Sequence, residues 1–221
     1  MASEILLDND IIIKSSQFSI TDELVKSLNN YGSPHILSVS AFVILKQVTA
    51  KKKLSNPGQI SKNCTTLLGH LNRIEPTEKE ISLAADLEDQ ARTMLLELDV
   101  GESQLLAILM NRGSRLMVTG DKRAIIGIEQ FIKGKFEFKH KIACFEQLLL
   151  EIIGMHDFDT LRAKICTEAV ADKAISICFS CLSGESQKDS ALSGLSSYIN
   201  SVRNTSPESL IISNDLSALS S

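Results

Sequence analysis

LMVTGDKRAI, residues 116–125, poses the first question of this chain. Leu116, Met117 and Val118 make an apolar run of strand length. The run ends in Thr119-Gly120-Asp121, and an amphipathic stretch follows. A buried strand that hands over directly to a helix is the repeating unit of an α/β sheet covered on both faces. Whether Asp121 does more than end the strand depends on which other carboxylates meet it there.

The same unit recurs on the N-terminal side. ILL (5–7) reads as a first strand, followed by Asp8-Asn9-Asp10 and then Ile11-Ile12-Ile13. Thr21 ahead of Asp22-Glu23 opens a helix that runs to about Asn30, a hydroxyl cap with acids in the first turn. Gly32-Ser33-Pro34 breaks the chain. ILSV (36–39) reads as a second strand, with a helix after it to about Lys53. Residues 54–73 are polar and mixed and read as a loop with a short helix. Thr77 and Glu80 have capping-box spacing, and Ile81, Ala84, Ala85, Ala91, Met94, Leu95 and Leu98 continue as a helical stripe. A break at Val100-Gly101 precedes a helix from about Glu102 to Arg112. The strand 116–118 and a helix to Phe131 complete the pattern. Alternating strands and helices predict a three-layer α/β/α sandwich with a central, mainly parallel sheet and right-handed crossovers.

Beyond that point the character changes. KGKFEFKHK (133–141) is basic with interleaved Phe136 and Phe138 and reads as an edge strand guarded by lysines. Residues 142–182 read as wholly helical. Residues 183–221 hold 13 serines in 39 positions and read as a flexible or weakly helical tail, in which LSSYINSV and SLIIS are the segments able to dock. The expected organisation is a domain over 1–141, a helical extension over 142–182 and the tail. There is no internal repeat.

A chain of 221 residues with 43% apolar and 23% charged residues has the composition of a globular domain with a sizeable core. No apolar run approaches the roughly 18 residues of a membrane span. MASEILLDND lacks the basic-then-apolar layout of a signal peptide, so a cytoplasmic setting without membrane contact is expected. A net charge of −4 excludes a strongly basic nucleic-acid binder but not a local basic patch. Five cysteines, Cys64, Cys144, Cys166, Cys178 and Cys181, are an odd, irregular set. They are expected as small buried residues in a reducing compartment rather than a disulfide framework. Cys178-Phe-Ser-Cys181 alone is too little for a zinc site.

Ligands of an open parallel sheet bind beyond the carboxyl ends of its strands. Asp8 and Asp10 follow the first strand, Asp121 follows the 116–118 strand, and Asp99 and Glu102 open the helix before it. Gathered at one edge, these acids repel one another unless a cation sits among them. An all-oxygen set suits Mg²⁺ or Mn²⁺, and such an ion assists phosphodiester hydrolysis. Each acid also has a simpler role. Asp121 has the place of a helix cap, Asp99 and Glu102 have capping-box spacing, and Asp8 or Asp10 can cap a helix through Ile11.

ILLDNDIII, LDVGESQLLAI and LMVTGDKRAI, taken in order, resemble the three acidic motifs of the PIN-domain family of metal-dependent nucleases over residues 3–140. On that resemblance Asp8, Glu102 and Asp121 are catalytic, Asp8, Asp10, Glu102 and Asp121 hold Mg or Mn, and Thr119 and Asp99 support them. Asp10 stands where the family usually has Asn. The family's acid after the second strand is missing, because SVSAFVILKQ offers only Ser38 and Ser40. The resemblance implies an endonuclease acting on RNA more than DNA, with an inhibitory or complex-forming protein partner, a toxin–antitoxin or defence setting and a homodimer among the forms the family takes. Lys122, Arg123, Arg112 and Arg115 are the expected phosphate contacts, and the lysines around Phe136 and Phe138 are a further candidate. Two alternatives stand beside it. One is a degenerate PIN-like module that binds RNA or protein without cutting. The other is a haloacid-dehalogenase-like phosphatase with Asp8 as nucleophile, for which no later paired acids are found between 130 and 182.

Overall fold

The computed structural model describes residues 3–50, 54–183 and 187–220. Their order is β1 (Glu4–Leu7), α1 (Asn9–Gln17), α2 (Thr21–Asn29), β2 (Ser33–Leu37), α3 (Ser40–Gln47), α4 (Pro57–His70), β3 (Asn72–Ile74), α5 (Glu78–Thr93), α6 (Val100–Arg112), β4 (Leu116–Thr119), α7 (Lys122–Ile132), β5 (Ile142–Cys144), α8 (Phe145–Met155), α9 (Phe158–Thr167), α10 (Lys173–Cys178) and α11 (Lys188–Thr205). The five strands form one sheet in the order β3-β2-β1-β4-β5. All pairs are parallel, with Leu6 beside His35 and Met117, Ile36 beside Arg73 and Val118 beside Ala143. The expected α/β/α sandwich is the observed architecture.

Strand alternation divides the core into two layers. Ile5, Leu7, Ile36, Leu116, Val118 and Ala143 pack with α1, α2, α4 and α8. Leu6, Leu37, Met117, Ile142 and Cys144 pack with α5, α6 and α7. A strand buried on both faces has no polar side, which is why LMV and ILL carry none.

Four expectations need correction. Residues 54–73 hold a full helix, α4. Asn56 accepts from Gln59 N at 3.1 Å, Pro57 sits in the first turn, and Ile60, Cys64, Leu67 and Leu68 form its buried stripe. The edge strand is not 133–141. Phe136–Phe138 is a single 3-10 turn, and Ile142–Cys144 is the edge strand, so 142–182 is not wholly helical. The serine-rich segment is not a tail. Helix α11 places Ala191 and Leu195 in one core layer and Ile199 and Val202 in the other, and its serines face outward. Residues beyond it close the β5 edge: Ile142 N donates to Ser209 O and Ile211 N to Ile142 O, at 3.0 and 2.8 Å. That covers the row of unpaired groups an edge strand exposes. Finally, Cys166 and Cys181 form a disulfide, while Cys64, Cys144 and Cys178 are free and buried. The predicted helix end at Lys51–Lys53 lies outside the described residues. No helix among the described residues is long and apolar enough to cross a membrane.

Candidate functional site

Strand order reverses between β1 and β4, and a crevice opens there beyond their carboxyl ends. A cavity of about 750 Å³ occupies it, lined by Asp8, Asp10, Asp99, Glu102, Asp121, Lys14 and Arg123 among others. Every acid singled out in the sequence therefore reaches one place. The Ser40 end of α3 lines it too and brings no carboxylate.

All of them but Asp10 also cap a helix. Asp8 Oδ1 accepts from Asn9 N at 2.7 Å and caps α1. Asp99 and Glu102 form a full capping box on α6: Glu102 N donates to Asp99 Oδ1 at 2.8 Å and Asp99 N to Glu102 Oε2 at 3.0 Å. Asp121 Oδ1 accepts from Arg123 N at 2.8 Å and caps α7. Three helix N-termini thus point at the cavity, each favouring negative charge.

Thr119, fully buried at the end of β4, donates its hydroxyl to Asp8 Oδ2 at 3.0 Å. Thr119 Oγ1 in turn accepts from Asp121 N at 3.1 Å. One side chain therefore sets the positions of two acids. Gly120, between them, leaves room for Asp10. A Cβ at Gly120 would lie 2.2 Å from Asp10 Oδ2 and 3.1 Å from Lys14 Nζ.

Charge is unevenly balanced. Burial, then the neighbouring Asp10, pushes Asp8 up to about 6 despite its hydrogen bonds from Thr119 and Asn9. Burial pushes Glu102 up to about 8, with Asp8, Asp99 and Asp121 adding repulsion against the Asp99 backbone bond. Asp121 is different. Burial opposes its ionisation, but hydrogen bonds and charge from Arg123 outweigh that and hold it below the usual range. Arg123 also pairs with Glu97 at 2.6 Å.

Two members of the site were not foreseen. Lys14 Nζ lies 2.8 Å from Asp10 Oδ2 and 2.8 Å from Asp172 Oδ2. Burial opposes its charge, but the two carboxylates outweigh burial and hold Lys14 well above the usual lysine range. The Asp10–Lys14 spacing of one helical turn was readable in the sequence. Asp172 joins from the far end of the chain and had no signal.

Of the expected phosphate contacts only Arg123 reaches the cavity. Lys122 pairs with Glu146 at 3.0 Å and lies 4.1 Å over the Tyr198 ring. Arg112 ends α6, roughly 15 Å along the helix from Glu102, where it pairs with Glu80 at 2.7 Å. Arg115 precedes β4 and donates to Leu219 O. Both line a second cavity at the opposite ends of the strands. Phe136 and Phe138 do not form a stacking platform: Phe136 lies under Lys139 and Phe138 packs on the core.

Among the described residues no group of three or more His, Cys, Asp or Glu side chains is gathered into a ready metal nest. The donor chemistry nevertheless fits a hard cation. Asp8, Glu102 and Asp121 carry carboxylate oxygens only; both Asp121 oxygens accept from Arg123, while Asp8 and Glu102 are buried and, among the described residues, no ion pair holds either. Among the described residues no hydrogen bond uses Glu102 Oε1.

No known protein family matches this chain, and neither curated proteins nor solved structures provide a match.

Proposed function

We propose that this chain is a PIN-like endonuclease dependent on Mg²⁺ or Mn²⁺ that hydrolyses phosphodiester bonds of RNA. The observation that carries the reading is the meeting of Asp8, Glu102 and Asp121, from three separate elements, in one cavity at the strand-order reversal. These three residues would hold the cation, which supplies Lewis-acid stabilisation of a phosphate oxygen and an activated water. Thr119 orients Asp8 and steadies the Asp121 backbone. The α6 capping box keeps Glu102 at the cavity wall. Arg123 is positioned to meet a phosphate. Phe42, 75% exposed on α3 beside the cavity-lining Val39 and Val43, offers a face for an unpaired base and favours single-stranded substrate.

A cytoplasmic setting belongs to the same proposal, as does an inhibitory protein partner. The Cys166–Cys181 disulfide stands against the cytoplasm, where such bonds are rare.

A second reading, a binding module without catalysis, is favoured by the ion pairs Asp10–Lys14 and Asp121–Arg123, which occupy two of the acids. The test is cleavage of mixed single-stranded RNA and DNA with Mn²⁺ or Mg²⁺ by wild type, Asp8→Asn and Glu102→Gln. Metal-dependent cutting lost in both variants supports the nuclease. Cutting that survives both substitutions refutes the site. Mn²⁺ binding without cutting supports the binding module.

A further inference from the structure

We infer that the cavity at the strand-order reversal binds a small organic cation, an ammonium or guanidinium group on an aliphatic stem, held by Asp8 and Glu102. The inference does not rest on the nuclease reading, although a metal ion would compete for the same carboxylates.

Pairing sorts the acids of the cavity. Lys14 holds Asp10 at 2.8 Å, and Arg123 donates to both Asp121 oxygens. Lys14 is shared with Asp172 and Arg123 with Glu97, so neither brings surplus positive charge to the walls. Asp8 and Glu102 are 7% and 5% exposed, and among the described residues no ion pair holds either. The donors to Asp8 are neutral, Asn9 N and the Thr119 hydroxyl. Glu102 Oε2 accepts from Asp99 N. Its Oε1 has no hydrogen bond among the described residues, although Glu102 lines the cavity. A buried acceptor left unmade is costly, and an N–H group of a ligand relieves that cost.

The walls specify the rest of the ligand. A volume of about 750 Å³ is that of a small-molecule site. Ile13, Leu37, Val39, Val43 and Val100 line it, and Val39 and Val100 are 62% and 58% exposed. An aliphatic stem covers such surface, whereas a bare ion leaves it wet. Gln47 and Gln104 line the same space and carry neutral acceptors for further N–H groups.

Burial pushes Glu102 up to about 8 and Asp8 up to about 6, so Glu102 holds a proton at neutral pH. The entering cation takes the place of that proton, which passes to solvent. Glu102 meets the charges of Asp8, Asp99 and Asp121, and Asp10, Lys14 and Arg123 share the cavity walls. Binding therefore strengthens as pH rises through the range to which Asp8 and Glu102 are driven.

The experiment is calorimetric titration of the whole chain in metal-free buffer with agmatine, which carries an ammonium and a guanidinium on a short aliphatic stem. One agmatine per chain is expected, bound about tenfold or more tightly at pH 8 than at pH 6. Ammonium chloride, which lacks the stem, and 1-butanol, which lacks the charge, should each bind at least about tenfold more weakly. Glu102→Gln and Asp8→Asn, with circular dichroism confirming the fold, should each lose about tenfold. Agmatine binding no tighter than ammonium or butanol overturns the inference on wild type alone, whatever the variants do. Equal affinity at the two pH values, or full affinity in both folded variants, also overturns it. Tighter binding of the tripeptide Gly-Arg-Gly than of agmatine overturns the free amine in favour of a basic protein side chain. None of these outcomes touches metal-dependent cleavage, which is read separately.

Discussion

The buried acids make stability depend on pH in a direction opposite to that of an ordinary ion-paired carboxylate. Asp8 rises from 3.8 to about 6 and Glu102 from 4.5 to about 8 on folding. A carboxyl that holds its proton more tightly when folded stabilises the fold below its unfolded value and loses that contribution as pH rises through its folded value. Asp121 and Asp172, held low by Arg123 and Lys14, act in the other direction, but their contribution is lost only as pH falls below about 4. Between pH 5 and 8.5 the slope therefore belongs to Asp8 and Glu102. At about 1.4 kcal/mol per pH unit, Glu102 accounts for roughly 4 kcal/mol of loss across that window and Asp8 for roughly 1. The two share their mutual repulsion, so the joint loss is about 4 kcal/mol rather than the sum. With a urea slope of about 2 kcal/mol/M, the unfolding midpoint should fall by about 2 M between pH 5 and 8.5 in metal-free buffer. Glu102→Gln keeps an acceptor for Asp99 N and removes the charge, so most of the pH dependence should vanish. Equal midpoints at the two pH values, or a Glu102→Gln chain with the wild-type slope, would refute the reasoning.

Three further outcomes follow from packing. Leu195→Ala, at a fully buried position of α11, should cost roughly 2–5 kcal/mol in urea unfolding; a loose tail would show no change. Cys181→Ser opens a disulfide of sequence separation 15 and should cost about 3 kcal/mol, and alkylation of denatured, unreduced wild type should label three cysteines, not five. Gly120→Ala forces a Cβ to within 2.2 Å of Asp10 Oδ2 and should cost about 1–3 kcal/mol, less in an Asp10→Ala background if the clash is the cause.

The three central strands were legible because fully buried parallel strands leave short apolar runs such as ILL and LMV bounded by turn residues. The elements that escaped share a physical cause. Helix α4 was hidden by its composition: Gly58, Asn63, Thr65 and Gly69 are poor helix formers, yet Asn56, Pro57 and the Ile60–Cys64–Leu67–Leu68 stripe were all present. Strand β5 is three residues long and runs straight into α8, so neither period had length to declare itself. In α11 serine frequency concealed a stripe at Ala191, Leu195, Ile199 and Val202, where spacing rather than abundance was the signal. Distance in the chain, not composition, hid Asp172, because nothing local marks a partner 158 residues from Lys14.

The candidate site shows why its two readings could not be separated in the sequence. An N-cap wants a short acid after a strand and before a helix, and so does a metal ligand at the carboxyl edge of a parallel sheet. Asp8 and Asp121 stand at that place, each following a strand and capping the helix after it. Capping alone, however, does not require burial. Asp157 caps α9 on the surface, accepting from Thr160 N at 2.9 Å, and its hydrogen bonds with Thr160 hold it low. Asp8 makes a similar cap and is driven the other way by burial and by Asp10. Glu102 makes the same kind of box as Glu80, yet Glu80 is neutralised by Arg112 whereas Glu102 faces three further acids. What distinguishes Asp8 and Glu102 from their structural counterparts is thus that, among the described residues, no ion pair balances them, a property of convergence that no single motif contains.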